Sequence, residues 1–285
     1  MPVWEMEVFM AVLTVARELG AIIRGEELTL CNTLNLKCVS RSTLEKKFAQ
    51  LGINDKFLHK FDECKPGLLS SINNDTSCYW ETLRTVIMQE MLQDNIAVIG
   101  RGGNFLLYPL VKCLRIKLVA PEDYRIQHVA AEYAISDADA KKLIRQSDCA
   151  RKNFCEFYYG ENWNDPHNYD LVVNTSEISM ETLAKIIPHL MPPPLTADDK
   201  EELQILIQEQ FIKHALLCAS ELQIRFPEVE YSADGTVTLH GSVPSGAAKI
   251  RAEEIVMSIP GVTAVNNELA IVLNEIPSRI PPFMH

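Results

Sequence analysis

The chain has 285 residues, 47% of them hydrophobic and 23% charged, a composition that excludes global disorder and supplies a full core without disulfide staples. Its formal net charge is −11, from 27 Lys and Arg against 38 Asp and Glu, the wrong sign for a non-specific nucleic-acid binder. No apolar run approaches the ~18 residues a membrane span needs, and the first residues lack the basic start of a secretory signal, so a cytoplasmic location is expected.

In chain order, residues 8–15 form a continuous apolar run. Asn95-Ile-Ala-Val-Ile-Gly100 is another and ends at a glycine turn. Leu114-Arg-Ile-Lys-Leu-Val-Ala120 and Tyr169-Asp-Leu-Val-Val-Asn-Thr175 complete the set. Such runs suit strands of a parallel sheet buried on both faces. Helical patterns over residues 80–93 and 136–154 lie between them, and alternating strands and helices predict an α/β domain over residues 1–190. Ligands of such sheets sit at the carboxyl ends of the strands. The three prolines of Met191-Pro-Pro-Pro-Leu-Thr-Ala197 cannot continue a helix and predict a semi-rigid linker.

The pattern then changes. Thr196 and Asp199 form a capping box for a helix with Leu203, Ile207, Phe211, Ala215, Ala219 and Leu222 on one face. Val229-Glu-Tyr231, an Asp234-Gly235 turn and the alternating Thr236-Val-Thr-Leu-His-Gly-Ser-Val243 predict a hairpin. A second helix carries Ala248, Ala252, Ile255 and Ile259, and one last strand carries Val265, Asn267, Leu269, Ile271 and Leu273. This α-β-β-α-β order predicts a small α+β domain over residues 198–275, with an irregular tail at 276–285. The eight cysteines include no Cys-x-x-Cys pair, so free thiols are expected and no metal ligand is assigned.

Three segments carry candidate chemistry. Ile99-Gly-Arg-Gly-Gly-Asn104 follows a strand; its glycines let the backbone approach a ligand, and Arg101 can grip a phosphate bidentately. An ordinary turn with a solvated arginine is the alternative. In residues 136–153, Ser136 and Asp139 resemble a capping box. Lys141, Arg145, Asp148 and Lys152 fall on one helical face, with Arg151 beside it. That face is either a cationic site or a solvated surface with internal ion pairs. The third segment is the polar loop Gly160-Glu-Asn-Trp-Asn-Asp-Pro-His-Asn-Tyr-Asp170.

The text from Asp234 to Val243, the following helix, and Ile259-Pro-Gly-Val-Thr-Ala-Val-Asn-Asn267 resemble the BON domain family. That resemblance implies a binding module for a lipid, a small ligand or a protein partner; docking or self-association is the competing role, leaving a homo-oligomer open. Gly-Arg-Gly, then Cys-Leu-Arg-Ile-Lys-Leu-Val-Ala-Pro, a Ser-Asp-x-x-Arg helix, Asn-Trp-Asn-Asp-Pro and Tyr-Asp-Leu-Val-Val-Asn-Thr-Ser resemble the cytidylate kinase-like family of P-loop proteins, most specifically over residues 95–187. The resemblance implies a P-loop nucleoside monophosphate kinase architecture. Arg101, between Gly100 and Gly102, would hold the acceptor phosphate. Arg145, Asp148 and Arg151 would belong to a lid over the transferring group.

Ala16-Arg-Glu-Leu-Gly-Ala-Ile-Ile-Arg24 stands where that family carries Ser-Arg-Glu-Phe-Gly-Ser-Gly-Gly-Arg. Gly20 and Arg24 match as phosphate-loop residues. Ile22 and Ile23 replace glycines, and β-branched residues disfavour the positive φ such loops use. The chain has no Gly-Lys-Ser/Thr. Three readings stand: a kinase using Mg-ATP, a kinase-derived protein that binds nucleotide or phosphate without efficient turnover, and a scaffold.

Overall fold

A computed structural model describes residues 12–50, 74–92, 95–108, 110–193 and 195–272. The start of the first apolar run and the C-terminal tail lie outside them. The chain divides into two compact units, Met1–Ser71 with Leu83–Leu203 and Ile72–Thr82 with Gln204–His285.

The first unit is built on a five-stranded parallel sheet: β1 (Val12–Arg17), β2 (Lys37–Val39), β3 (Ile96–Ile99), β4 (Leu114–Val119) and β5 (Leu171–Asn174), in the order β2-β3-β1-β4-β5. β1 lies centrally, with Leu13 opposite Ala97 on one side and Leu114 on the other. Its near-continuous burial explains the apolar run. Helices α1 (Glu26–Thr33), α2 (Arg41–Gln50), α3 (Asn74–Met91, in this unit from Leu83 onward), α4 (Gly103–Leu107), α5 (Glu122–Tyr133), α6 (Asp137–Tyr159) and α7 (Met180–Leu190) connect and flank the strands. Leu13, Val15, Ile116 and Leu118 pack with Leu30, Cys31, Leu183 and Ile187 into one core. β1 connects toward β2 while its neighbour β4 connects toward β5, so the crevice of this sheet opens at the carboxyl end of β1.

Ser136 caps α6 as expected, its Oγ accepting the Asp139 N–H at 3.2 Å. The helix runs past Phe154 to Tyr159, where Gly160 stops it at φ 70°. β2 has three residues and no apolar run, so periodicity misses it.

The second unit contains α8 (Ala197–Cys218) from Gln204 onward, β6 (Arg225–Tyr231), β7 (Thr236–Val243), α9 (Gly246–Met257), β8 (Ala264–Asn267) and β9 (Ala270–Ile271). Thr196 and Asp199 cap α8 reciprocally, at 2.7 and 3.1 Å. Gly235 turns the hairpin at φ 86°. Three details differ from expectation. Beyond Ile207 the most deeply buried apolar residues of α8 are Ile212 and Leu216, while Phe211, Ala215 and Ala219 of the expected stripe are half-buried against the same core. The last strand is two short ones, both pairing with β7 and separated where Leu269 turns into the core. Cys218 is disulfide-bonded rather than free, a pairing that spacing along the chain does not encode. Cys31, Cys38, Cys113, Cys149 and Cys155 are free thiols.

Candidate functional site

The carboxyl ends of β1 and β3 place two cavities in the first unit. The larger, about 800 Å³, is lined by Arg17, Gly20, Arg24, Glu27, Arg41 and Arg151, among others. The smaller is lined by Arg17, Gly100, Arg101, Gly102, Arg151 and Trp163, with others, and shares Arg17 and Arg151 with the first.

Arg101 sits directly beyond β3, where the sequence places it. Gly100, Arg101 and Gly102 are all left-handed, at φ 73°, 55° and 63°. A non-glycine residue in that region is strained and is held by its surroundings. Tyr159 holds it here. Its hydroxyl donates to the Arg101 carbonyl at 2.8 Å, and its ring lies where a Gly102 Cβ would fall, 2.2 Å from Cε2. Arg101 is buried and lines the smaller cavity together with Arg17 and Arg151. That cavity is about 20 Å³, and a cluster of guanidiniums is chemically suited to an anion.

The Asn-Trp-Asn-Asp-Pro loop makes a wall of this cavity through Trp163. Lys117 of β4, 4% exposed, donates to the Trp163 carbonyl at 2.9 Å and to Asn164 Oδ1 at 3.1 Å. Its ammonium lies 4.0 Å from the centre of the indole ring, and the Tyr169 hydroxyl donates to the same carbonyl at 2.8 Å. Burial pushes the Lys117 ammonium below its usual value, partly opposed by Glu18 and Asp148. Sequence reading missed Lys117, one of two cations, with Arg115, in the otherwise apolar β4.

Several polar groups of the loop at 18–25 are bound by the chain itself. The Leu19 N–H donates to Asp148 Oδ1 at 3.1 Å, Ile23 N–H to Glu26 Oε2 at 2.7 Å, and Gly25 N–H to Glu27 Oε2 at 3.2 Å. Its carbonyls are also engaged: Leu19 accepts from Arg125 at 3.3 Å, His128 Nδ1 lies 3.2 Å from the Gly20 oxygen, and Thr175 donates to Ala21. Gly20, at φ 81°, is pressed against Arg125 and Val129, with no room for a Cβ. Ile22 is buried in the sheet core and Ile23 is half exposed; neither has positive φ. Carboxylates stand where a phosphate-cradling loop would present its N–H groups to a nucleotide. The residues present therefore do not fit a bound Mg-ATP triphosphate.

The predicted lid residues separate. Asp148 points inward and binds Arg125 at 2.6 Å, Arg151 at 3.4 Å and the Leu19 N–H. Arg151 lines both cavities. Arg145 instead lies on the outer surface, its side chain 69% exposed and 3.6 Å from Glu122 of α5, which Lys141 also meets at 2.8 Å. Lys152 is exposed. Arg125 is the second residue the sequence left unnoticed. It bridges Glu18, Asp148 and the Leu19 carbonyl, contacts across 23 to more than 100 residues that no local motif announces.

The family model of the cytidylate kinase-like family matches residues 12–177, and that of the BON domain matches residues 206–272. Cytidylate kinase of Sulfolobus acidocaldarius is 35% identical over 96 residues, 33% of this chain and 52% of that protein. Uronate isomerase of Corynebacterium glutamicum is 30% identical over 98 residues, 34% of this chain and 19% of that protein. The matches thus span about half or less of these relatives' lengths. A solved structure of an uncharacterized protein from Eubacterium ventriosum aligns at a TM-score of 0.48 and 18% identity, covering 64% of this chain and 97% of that one. A shikimate kinase from Acinetobacter baumannii aligns at 0.35 and 13%, covering 64% and 92%. With the match running over more than half of its length, the chain belongs to the cytidylate kinase-like family, and it carries a BON domain at residues 206–272.

Proposed function

We propose that the kinase-like domain binds the phosphate of a nucleoside monophosphate on Arg17, Arg101 and Arg151, and that its strand-end loop is closed to a triphosphate. The observation that carries this reading is the pairing of a three-arginine cavity with a loop whose N–H groups at Leu19, Ile23 and Gly25 take the chain's own carboxylates. Arg101 grips the phosphate, and Arg151, steered by Asp148, neutralises its charge from the helix above. Arg145 stands outside this cluster, paired with Glu122. The protein is then a kinase-derived binding or sensing protein, cytoplasmic, whose BON domain supplies the contact with a protein or lipid partner.

The second reading is phosphoryl transfer from Mg-ATP to the bound monophosphate. Membership of the family favours it, as does the larger cavity beside the loop, about 800 Å³ and lined by Arg17, Arg24 and Arg41. On that reading Gly20 and Arg24 flank the nucleotide, and Glu26, Glu27 and Asp148 must release the loop first. Calorimetric titration of the full chain with CMP and, separately, with Mg-ATP distinguishes the two. Binding of CMP without micromolar binding of ATP is expected. Micromolar ATP affinity that disappears when residues 20–24 are altered would overturn the first reading in favour of the second.

A further inference from the structure

We propose that Tyr159, the last residue of α6, is a positioning residue for the phosphate site, holding Arg101 in the conformation in which it lines the arginine cavity. This role rests on the reading of that cavity as a phosphate site and adds the group that sets its geometry.

The need for such a group is local. Gly100 and Gly102 adopt positive φ freely, but a residue with a Cβ is disfavoured there, and Arg101 sits between them at φ 55°. Backbone accounting shows what fixes it. The Gly100 carbonyl accepts the Gly103 N–H at 3.0 Å, and the Gly102 carbonyl accepts the N–H groups of Phe105 and Leu106 at 2.9 and 3.0 Å. The Arg101 carbonyl between them accepts the Tyr159 hydroxyl, at 2.8 Å. The ring that carries this hydroxyl is itself seated. It packs 5.4 Å from the Phe105 ring of α4 and 6.3 Å, edge-on, from that of Phe154, and it fills the space above Gly102. Phe154 is fully buried and lines the same cavity as Arg101.

The helix gives this contact its reach. Tyr159 follows Asp148 by 11 residues, about three turns, so the two lie on one face of α6. At one end of that face Asp148 accepts the Leu19 N–H of the β1 loop; at the other Tyr159 binds the β3 turn. Arg151, which lines both cavities, lies between. Tyr159 itself lines neither of these two cavities, so it acts through Arg101 rather than on the ligand.

The test is a double-mutant cycle on the full-length protein: calorimetric titration of CMP into wild type, Tyr159→Phe, Arg101→Ala and the double variant. Tyr159→Phe keeps the packed ring and removes only the hydroxyl. One neutral hydrogen bond predicts roughly fivefold weaker CMP binding for Tyr159→Phe. The same change made in Arg101→Ala should cause no further loss, whereas a merely structural role would weaken both backgrounds alike. In the free protein, amide exchange at Gly103, which closes the turn onto Gly100, should speed up in Tyr159→Phe while exchange in the sheet stays unchanged. Gly102→Ala, whose methyl would meet the Tyr159 ring, should reproduce the weaker binding. CMP affinity in Tyr159→Phe equal to that of wild type, or an equal loss in both backgrounds, would overturn the positioning role and leave the Arg101 phosphate site standing. Equal affinity in wild type and Arg101→Ala would instead overturn the phosphate site, and the role of Tyr159 with it.

Discussion

Replacing Asp148 by alanine removes the carboxylate that joins the β1 loop to α6. It deletes the 2.6 Å contact with Arg125, the 3.4 Å contact with Arg151 and the acceptor of the Leu19 N–H. A hydrogen bond to a charged group contributes about 1.5–3 kcal/mol and a neutral one about 1 kcal/mol. Arg125 keeps Glu18 at 3.5 Å and the Leu19 carbonyl at 3.3 Å, and Asp148 is one-fifth exposed, so both terms are reduced. The net cost is about 3 kcal/mol, a fall of roughly 6–12 °C for a domain of this size. If Asp148 is the chain's own anion, added phosphate should take its place between Arg151 and Leu19. Phosphate at about 100 times its Kd would restore about 2.7 kcal/mol. The assay is thermal melting of wild type and Asp148→Ala in phosphate against chloride at matched ionic strength. An unchanged Tm in the variant, or an equal phosphate response in both proteins, would refute the reasoning.

Replacing Ile22 and Ile23 by glycine restores the family's loop composition but leaves Glu26, Glu27 and Asp148 on the loop N–H groups. No ATP binding should appear by calorimetry, and loss of the buried Ile22 should cost about 2–5 kcal/mol in a denaturant titration. Glu90 is fully buried between Lys37 at 2.5 Å and Lys47 at 2.8 Å. Burial pushes its carboxyl up, but hydrogen bonds from both lysines prevail and hold it below its ordinary value. Its folded value being depressed, its contribution is complete above the usual glutamate range, near 4.5, and is lost as pH falls through the lowered value. Glu90→Gln should therefore lose about 2 kcal/mol at pH 7, and its melting curves should converge with those of wild type in acid. Parallel curves at every pH would contradict that role.

Much of the fold is legible because its signals are local. Buried parallel strands read as apolar runs, and Ser136 and Thr196 announce their helices through capping residues three positions on. β2 is silent, since Lys37-Cys-Val39 is too short to carry a period. The stripe of α8 and the break before β9 depend on which core each side chain meets. At the site, Arg101 and Gly102 are readable as a glycine-flanked cation at a strand end. Lys117 and Arg125 are not, because each acts through groups far along the chain. Asp148 and Arg145 share a helical face in sequence yet have opposite surroundings, since the loop carrying Leu19 covers one and solvent the other. The loop's closure is legible in part. Ile22 and Ile23 mark the lost glycines, but the carboxylates on its N–H groups emerge only when α1 and α6 are in place.

The most direct measurement is calorimetric titration of CMP into wild type, Arg101→Ala and Arg145→Ala. Loss of one charge-assisted phosphate contact, about 1.5–3 kcal/mol, predicts roughly 10- to 100-fold weaker binding for Arg101→Ala. Arg145, exposed and paired with Glu122, predicts an affinity for its variant close to that of wild type. Equal affinity in wild type and Arg101→Ala would contradict a phosphate site on the arginine cluster.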